Sequence, residues 1–262
     1  MMNEVNKTMF IPLYGKAMVS KQGIILEDPM AEKIWDSQRF PLKGKSKSKW
    51  LCYNMAMRAR MFDDWTNIQL KKNRNALVLH IGCGLDSRCK RVKRSYKSWY
   101  DCDFPDVIDI RKNYYAETNN YHMISFDASD PKQINMLPEN DTVIVIFEGI
   151  SMYLKNNELM AFFKALENKY EHVHVLMDVY TIFGAKASKF KNPINEVGVT
   201  EVYGIDNIDE LLKGLRISCK KEYTMTPKRL VDELSSTDKT VFRLLFTGRM
   251  YRKIYRLFEL EA

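Results

Sequence analysis

From residue 76 onward, short apolar runs alternate with segments of helical spacing. The apolar runs at 76–81, 98–102, 121–126, 141–147, 172–179, 216–223 and 250–260 read as strands. Val143-Ile144-Val145-Ile146-Phe147 contains no polar position, as expected of a strand covered on both faces. Between two of these runs, Leu159, Phe162, Phe163, Leu166 and Tyr170 share one helix face, with Asn156 or Asn157 as its cap. Pro105 suits the first turn of the helix after the second strand. Strand–helix alternation of this kind predicts an α/β fold around a parallel sheet with right-handed crossovers. Ligands in such sheets sit beyond the carboxyl ends of the strands. Gly82, Asp103, Asp127 and Glu148 each follow a predicted strand, so all four are expected at one crevice.

Residues 1 to about 75 read as helical. Pro29 opens one helix with Asp28 as its N-cap. A longer helix covers Trp50 to Lys71, its apolar face marked by Leu51, Met55, Phe62, Trp65 and Ile68. No period repeats and no Pro/Gly/Ser linker divides the chain. The 262 residues are expected to form a single domain, with 1–75 as a helical cap and 76–262 as a Rossmann-like core.

Composition narrows the setting. Hydrophobic content of 45% and charged content of 28% are those of a globular protein. No apolar run reaches the roughly 20 residues a membrane helix requires, so no membrane partner is expected. The N-terminal Met1–Lys7 stretch lacks the layout of a secretory signal, which points to the cytoplasm. Cys52, Cys83, Cys89, Cys102 and Cys219 include no Cys-x-x-Cys pair, which argues against a zinc site and for reduced thiols. The net charge of +8 concentrates at Lys43, Lys45, Lys47 and Lys49, and at Lys90, Arg91, Lys93, Arg94 and Lys97. No aromatic residues interleave these lysines as a nucleic-acid stacking platform needs, so they read as a solvated face rather than an RNA site.

The chemistry concentrates in Leu77-Val78-Leu79-His80-Ile81-Gly82-Cys83-Gly84-Leu85-Asp86, read with Tyr100-Asp101-Cys102-Asp103. An apolar strand runs into a turn with two glycines, and a second strand ends in acid. Glycines admit a nucleoside close to the backbone, and a carboxylate about 20 residues on can hold both ribose hydroxyls. A dinucleotide fingerprint wants a third glycine where this chain has Ser87. An S-adenosylmethionine (SAM) site has no phosphate to cradle and needs only Gly82 and Gly84. Asp103 is the ribose candidate and Asp101 its competitor, and a capping role before Pro105 is compatible with the first assignment. Asp127 can accept from an adenine amino group, or serve as a turn aspartate ahead of Pro131. Glu148, at the mouth of the most apolar strand, must meet a cation or a donor. His80 reads as a packed, hydrogen-bonded histidine rather than a base.

With these residues in place, the run from Arg60 to Leu154 resembles the leucine carboxyl methyltransferase family, and within it the bacterial polyketide-type (tetracenomycin-type) O-methyltransferases. The matching pieces are Arg58-Ala59-Arg60-Met61-Phe62-Asp63-Asp64, Gly82-Cys83-Gly84-Leu85-Asp86-Ser87-Arg88, Trp99-Tyr100-Asp101-Cys102-Asp103-Phe104-Pro105, and Phe147-Glu148-Gly149-Ile150-Ser151-Met152-Tyr153-Leu154. The resemblance implies a class I SAM-dependent methyltransferase fold, a mostly parallel seven-stranded sheet with an N-terminal helical cap. It implies that Arg60 grips the cofactor carboxylate from the cap, as a guanidinium fork suits. It further implies Gly82 and Gly84 under the methionyl group, Asp103 on the ribose, Asp127 with Ala128 at adenine, and Glu148 near the amino end. Lys16 and Tyr153 are its candidates for the acceptor side. Ser87, Cys89 and His80 depart from the family's usual residues without removing a proposed contact.

The expected reaction is SAM-dependent O-methylation of a small, anionic, polyketide-like molecule at a carboxylate or hydroxyl. No general base stands out, and no metal is expected. A nicotinamide oxidoreductase and an RNA-modifying methyltransferase remain the alternatives.

Overall fold

The computed structural model describes residues 4–37, 40–189, 193–199 and 201–262. Met1, Met2 and Asn3, part of the stretch read as lacking a secretory signal, lie outside the described residues. The N-terminal helices are α1 (Glu4–Lys7), α2 (Phe10–Ser20), α3 (Pro29–Ser37) and α4 (Lys49–Lys72). Asp28 caps α3 as expected, its carboxylate accepting from the Ala31 N–H at 2.9 Å.

The core then alternates β1 (Leu77–Ile81), α5 (Arg88–Arg91), β2 (Ser98–Asp103), α6 (Pro105–Arg111), β3 (Tyr121–Ser125), β4 (Thr142–Phe147), α7 (Asn156–Lys169), β5 (His172–Tyr180) and α8 (Ile182–Ser188). It continues with α9 (Ile208–Leu211), β6 (Ser218–Tyr223), α10 (Lys228–Val231), α11 (Ser236–Phe246), α12 (Gly248–Arg252) and β7 (Tyr255–Glu261). The sheet order is β3-β2-β1-β4-β5-β7-β6. β1 to β5 run parallel, while β7 lies antiparallel between β5 and β6.

Six of the expected strands fall within about two residues of the observed ones. The seventh, expected over 250–260, is corrected: Gly248–Arg252 is helical and β7 starts at Tyr255. Leu159, Phe162, Phe163, Leu166 and Tyr170 are all buried, and α7 packs them on one sheet face with Phe147 and Val175. Its cap is Lys155 rather than either asparagine, and the Lys155 N–H donates to Glu158 at 2.8 Å.

The opposite sheet face is covered in part by α4. Phe62 and Trp65 join Val78, Ile144, Ile146 and Leu176 in one core, so this helix belongs to the sheet as much as to the cap. Ile68, expected on the same face, is instead 53% exposed. The upper half of α4 packs with α2 and with a segment distant in sequence: Val19, Ile25, Met57, Leu230 and Phe242 share a second cluster. Residues 228–246 therefore complete the helical layer that residues 1–75 begin.

Candidate active site

The turn after β1 makes the site's floor. Gly82 and Gly84 both have positive φ, +67° and +51°, a region L side chains enter at a cost. A Cβ at Gly82 would stand 2.1 Å from Ile150 Cγ2, so the position is closed to side chains by space as well as by backbone. The turn is tied to β2 by Gly82 N–H and Cys83 N–H, which both donate to the Cys102 carbonyl.

A cavity of about 890 Å³ opens above this turn, at the carboxyl ends of the parallel strands. Gly82, Gly84, Asp103, Asp127, Ala128 and Glu148 line it, as do Lys16 and Tyr153. Eight of the nine residues singled out from the sequence thus meet at one cavity. The ninth is a correction. Arg60 points away, its guanidinium on Asp64 at 3.0 Å and on the Ile25 carbonyl, with its side chain 41% exposed. Arg58 is the cavity-lining arginine of α4. Two residues along a helix is about 200° of rotation, so only one arginine of an Arg-x-Arg pair can face the sheet.

Asp103 and Asp101 separate just as clearly. Asp101 is fully buried beneath α6, accepting from the Arg111 guanidinium, Trp99 Nε1 and the Tyr121 hydroxyl. Burial opposes its ionisation, but Arg111 and His80 outweigh that and hold it at about 2. Asp103, two residues on, emerges at the strand end and accepts from Gly84 N–H at 2.7 Å and Phe104 N–H at 2.8 Å. Burial there wins over the two backbone bonds and pushes its carboxyl up to about 6. A carboxylate offers about four acceptor positions, so two remain toward the cavity. Asp127 uses Oδ1 on the N–H and hydroxyl of Ser129, while Oδ2 takes no hydrogen bond from the described residues.

Beneath the Glu148 side of the turn lies a continuous lattice of buried ion pairs that the sequence did not disclose. Glu148 is held by Arg58 Nε at 3.0 Å and by Arg88 Nη2. Arg88 and Arg91 share Asp63, Arg91 also pairs with Asp28 and Asp86, and Lys16 pairs with Asp86. Arg58 reaches Asp178 at 3.1 Å and the Tyr255 hydroxyl at 2.9 Å, and Tyr255 donates in turn to Asp178. Burial would neutralise Glu148, but Arg88 and Arg58 hold it at about 2. His80 is wedged between Arg88 and Asp101, and burial lowers its pKa, so it is a packed neutral imidazole as expected. Arg88 and Asp63 stood inside the quoted motifs, and Tyr255 opens the closing segment Tyr255-Arg256-Leu257-Phe258-Glu259, which carries a weaker likeness to the family; Asp178 gave no local signal.

The start of α5 bears on the nicotinamide alternative. Asp86 Oδ1 accepts from Arg88 N–H at 2.6 Å, and the buried Ser87 hydroxyl donates to Asp28. Carboxylates of the protein thus fill the helix start where a pyrophosphate would sit.

Residues 4–167, more than half of the chain, match the sequence profile of the leucine carboxyl methyltransferase family. The chain belongs to the leucine carboxyl methyltransferase family. Tetracenomycin polyketide synthesis O-methyltransferase TcmP of Streptomyces glaucescens is 26% identical over 247 residues, spanning 90% of this chain and 89% of its own. Among solved structures, a protein of Thermobifida fusca YX for which methyltransferase activity is suggested aligns with a TM-score of 0.58 at 13% identity, over 94% of this chain and 93% of its own. Magnesium protoporphyrin IX methyltransferase ChlM of Synechocystis PCC 6803, crystallised with S-adenosylhomocysteine (SAH), aligns at 0.53 with 12% identity, over 89% of this chain and 93% of its own. The fold is that of class I SAM-dependent methyltransferases, and the protein is a SAM-dependent methyltransferase, as the sequence led us to expect.

Proposed function

We propose that this protein methylates an oxygen, carboxylate or hydroxyl, of a small anionic acceptor, and that the cavity holds SAM over Gly82 and Gly84. An excess of carboxylates around the turn carries this reading. The lattice joins four cations, Lys16, Arg58, Arg88 and Arg91, to five carboxylates, Asp28, Asp63, Asp86, Glu148 and Asp178. This surplus of negative charge, to which Asp103 and Asp127 of the same cavity add, favours a cationic cofactor such as SAM, whose ammonium and sulfonium outnumber its carboxylate by one. Arg58 replaces Arg60 as the arginine we assign to the cofactor carboxylate, with Lys16 beside it. Glu148 meets the ammonium, Asp103 takes both ribose hydroxyls, and Asp127 Oδ2 with the Ala128 backbone meets adenine.

When bound, SAM supplies an electrophilic methyl group on a sulfonium, ready for attack by an oxygen nucleophile. The protein's work is to align that oxygen and exclude water. Beyond Glu148 the cavity is walled by Tyr153, Tyr180, Tyr251, Tyr255, Phe246 and Ile254, a lobe suited to a flat, largely apolar acceptor. The polyketide-linked name of TcmP supports that choice of class. A carboxylate acceptor needs no base. A hydroxyl acceptor must lose a proton, and Tyr255, already donating to Asp178, is the group of this lobe placed to relay it. We read the whole chain as one catalytic unit. Its unpaired cysteines, four of them buried, fit a reducing compartment, and we assign it to the cytoplasm. The RNA reading is weaker: Lys49 is tied to Asp238, and Trp50, the ring beneath it, is stacked on Phe246 rather than left free for a base.

Calorimetry with SAM and SAH on the wild type and on Asp103→Ala tests the site. Micromolar binding that disappears in the variant is expected; undiminished affinity in the variant rejects the ribose assignment. Incubation with methyl-labelled SAM and a panel of aromatic acids, phenols and RNA then reports the acceptor. Transfer to RNA alone would reject the small-molecule reading.

A further inference from the structure

Nine large hydrophobic side chains are exposed among the described residues, and six of them sit on three short stretches at one end of the cavity: Ile182, Phe183, Leu244, Leu245, Met250 and Ile254. These belong to α8, α11, α12 and the residues leading into β7. Two of the stretches meet directly, since a Cβ at Gly184 would lie 2.2 Å from the Ile254 carbonyl oxygen, and α11 packs against α12. Leu245 and Ile254 also line the cavity, which marks this edge as an opening. Phe183, Leu244 and Met250 do not line it, and they are 63%, 78% and 66% exposed to the outside.

Charge on the same stretches has a single sign. Residues 182–189 and 242–254 contain Lys186, Lys189, Arg243, Arg249, Arg252 and Lys253 and no acid. Arg243 and Arg252 are paired with Asp232 and Glu222, but Lys186, Lys189, Arg249 and Lys253 are exposed and form no ion pair among the described residues. An apolar patch of this size on a globular protein marks an interaction surface. A second copy of the chain fits it poorly, because a two-fold interface would set this cationic face against itself. RNA fits poorly as well, because the exposed tips are aliphatic apart from Phe183 and offer little to stack on.

We propose that this face docks the protein on an anionic lipid surface, with Phe183, Leu244 and Met250 entering the headgroup boundary and Lys186, Lys189, Arg249 and Lys253 meeting the lipid charge. Apolar tips interleaved with unpaired cations are the chemistry of an interfacial surface, and such a surface needs no membrane-spanning helix. The sequence led us to expect no membrane partner, but that expectation rested on the lack of an apolar span; no described helix is long and apolar enough to cross a membrane, and surface docking needs none. Docked in this way, the cavity opens toward the bilayer, so an amphiphilic acceptor would enter without crossing water. The proposal does not depend on which oxygen is methylated.

Flotation of the full chain with vesicles tests it, using phosphatidylcholine alone or mixed equally with phosphatidylglycerol, at low and high salt. Retention on the anionic vesicles, little on the neutral ones and loss at high salt are expected. Arg249→Gln with Lys253→Gln should lower retention by about tenfold or more, as loss of two surface cations implies. Leu244→Ser with Met250→Ser should lower it comparably, while SAM affinity and circular dichroism stay those of the wild type. Equal retention on both vesicle types overturns the proposal, as does binding indifferent to the Leu244 and Met250 changes. A concentration-dependent dimer abolished by the same substitutions, without vesicle binding, also overturns it and assigns the face to self-association. Because SAM affinity is read separately, failure here leaves the catalytic reading standing.

Discussion

Lowering the pH should release the cofactor through one carboxylate. Asp103 accepts from two backbone N–H groups, yet burial raises it to about 6. Ribose hydroxyls donate to the ionised form, so binding requires the proton to leave. Affinity should therefore be flat above about pH 7 and fall as pH drops through 6, reaching about tenfold weaker at pH 5. For the empty protein the sign reverses. A folded-state pKa above the unfolded value means that this group favours folding more as pH falls from about 6 toward the unfolded range. The cofactor should thus loosen before the fold does. Titration calorimetry with SAM at pH 8, 7, 6 and 5 measures the effect, with thermal melts at each pH to confirm a folded sample. Asp103→Asn should bind weakly at every pH, with the step removed. Wild-type affinity that stays constant down to pH 5 would refute the reasoning, because the buried carboxylate would then not carry the ligand.

Three other outcomes follow from the same geometry. Arg58→Leu should abolish SAM binding and destabilise the fold by about 3 kcal/mol or more, since it leaves buried Asp178 without a cation among the described residues and Glu148 with Arg88 alone; Arg60→Leu should cost about 1 kcal/mol or less and leave binding intact. Paired urea melts and calorimetry decide between the two arginines, and equal effects would reject the assignment of Arg58. Gly82→Ala should cost at least about 1–2 kcal/mol from positive φ alone and lose the cofactor through the clash with Ile150, as urea denaturation and SAM titration would show. Glu148 and Asp101 are both held at about 2, below their unfolded values. Their stabilisation is full above about pH 5.5, clear of both unfolded values, and drains away as pH falls from there toward 2, so the melting temperature should drop steeply across that window.

What the sequence disclosed follows from range. β4 was legible because five consecutive apolar residues admit few other readings. The crevice was legible because parallel strands place their carboxyl ends together, which gathers Gly82, Asp103, Asp127 and Glu148 from the order of elements alone. Helix phase was legible but outweighed by the resemblance: Arg58 lies between Met55 and Phe62 on the apolar face read from the sequence, and Arg60 lies on the opposite side. The lattice was hidden for another reason. Its links join Asp28 to Arg91, Asp63 to Arg88 and Arg58 to Asp178, separations that no local pattern encodes. The start of β7 was misplaced because Arg249, Met250, Tyr251 and Arg252 mix apolar and basic positions without the spacing of either element.

The antiparallel insertion of β7 between β5 and β6 has a consequence for synthesis. β6 pairs only with β7, so when Ser218–Tyr223 leaves the ribosome no strand yet exists for it to join. That segment must wait, edge open, until residues 255–261 arrive, and the sheet then closes out of chain order. Tyr255 opens the same late strand and completes the Arg58–Asp178 cluster. A nascent chain therefore has its glycine turn built well before Phe246, Tyr251, Ile254 and Tyr255 close the far wall of the cavity.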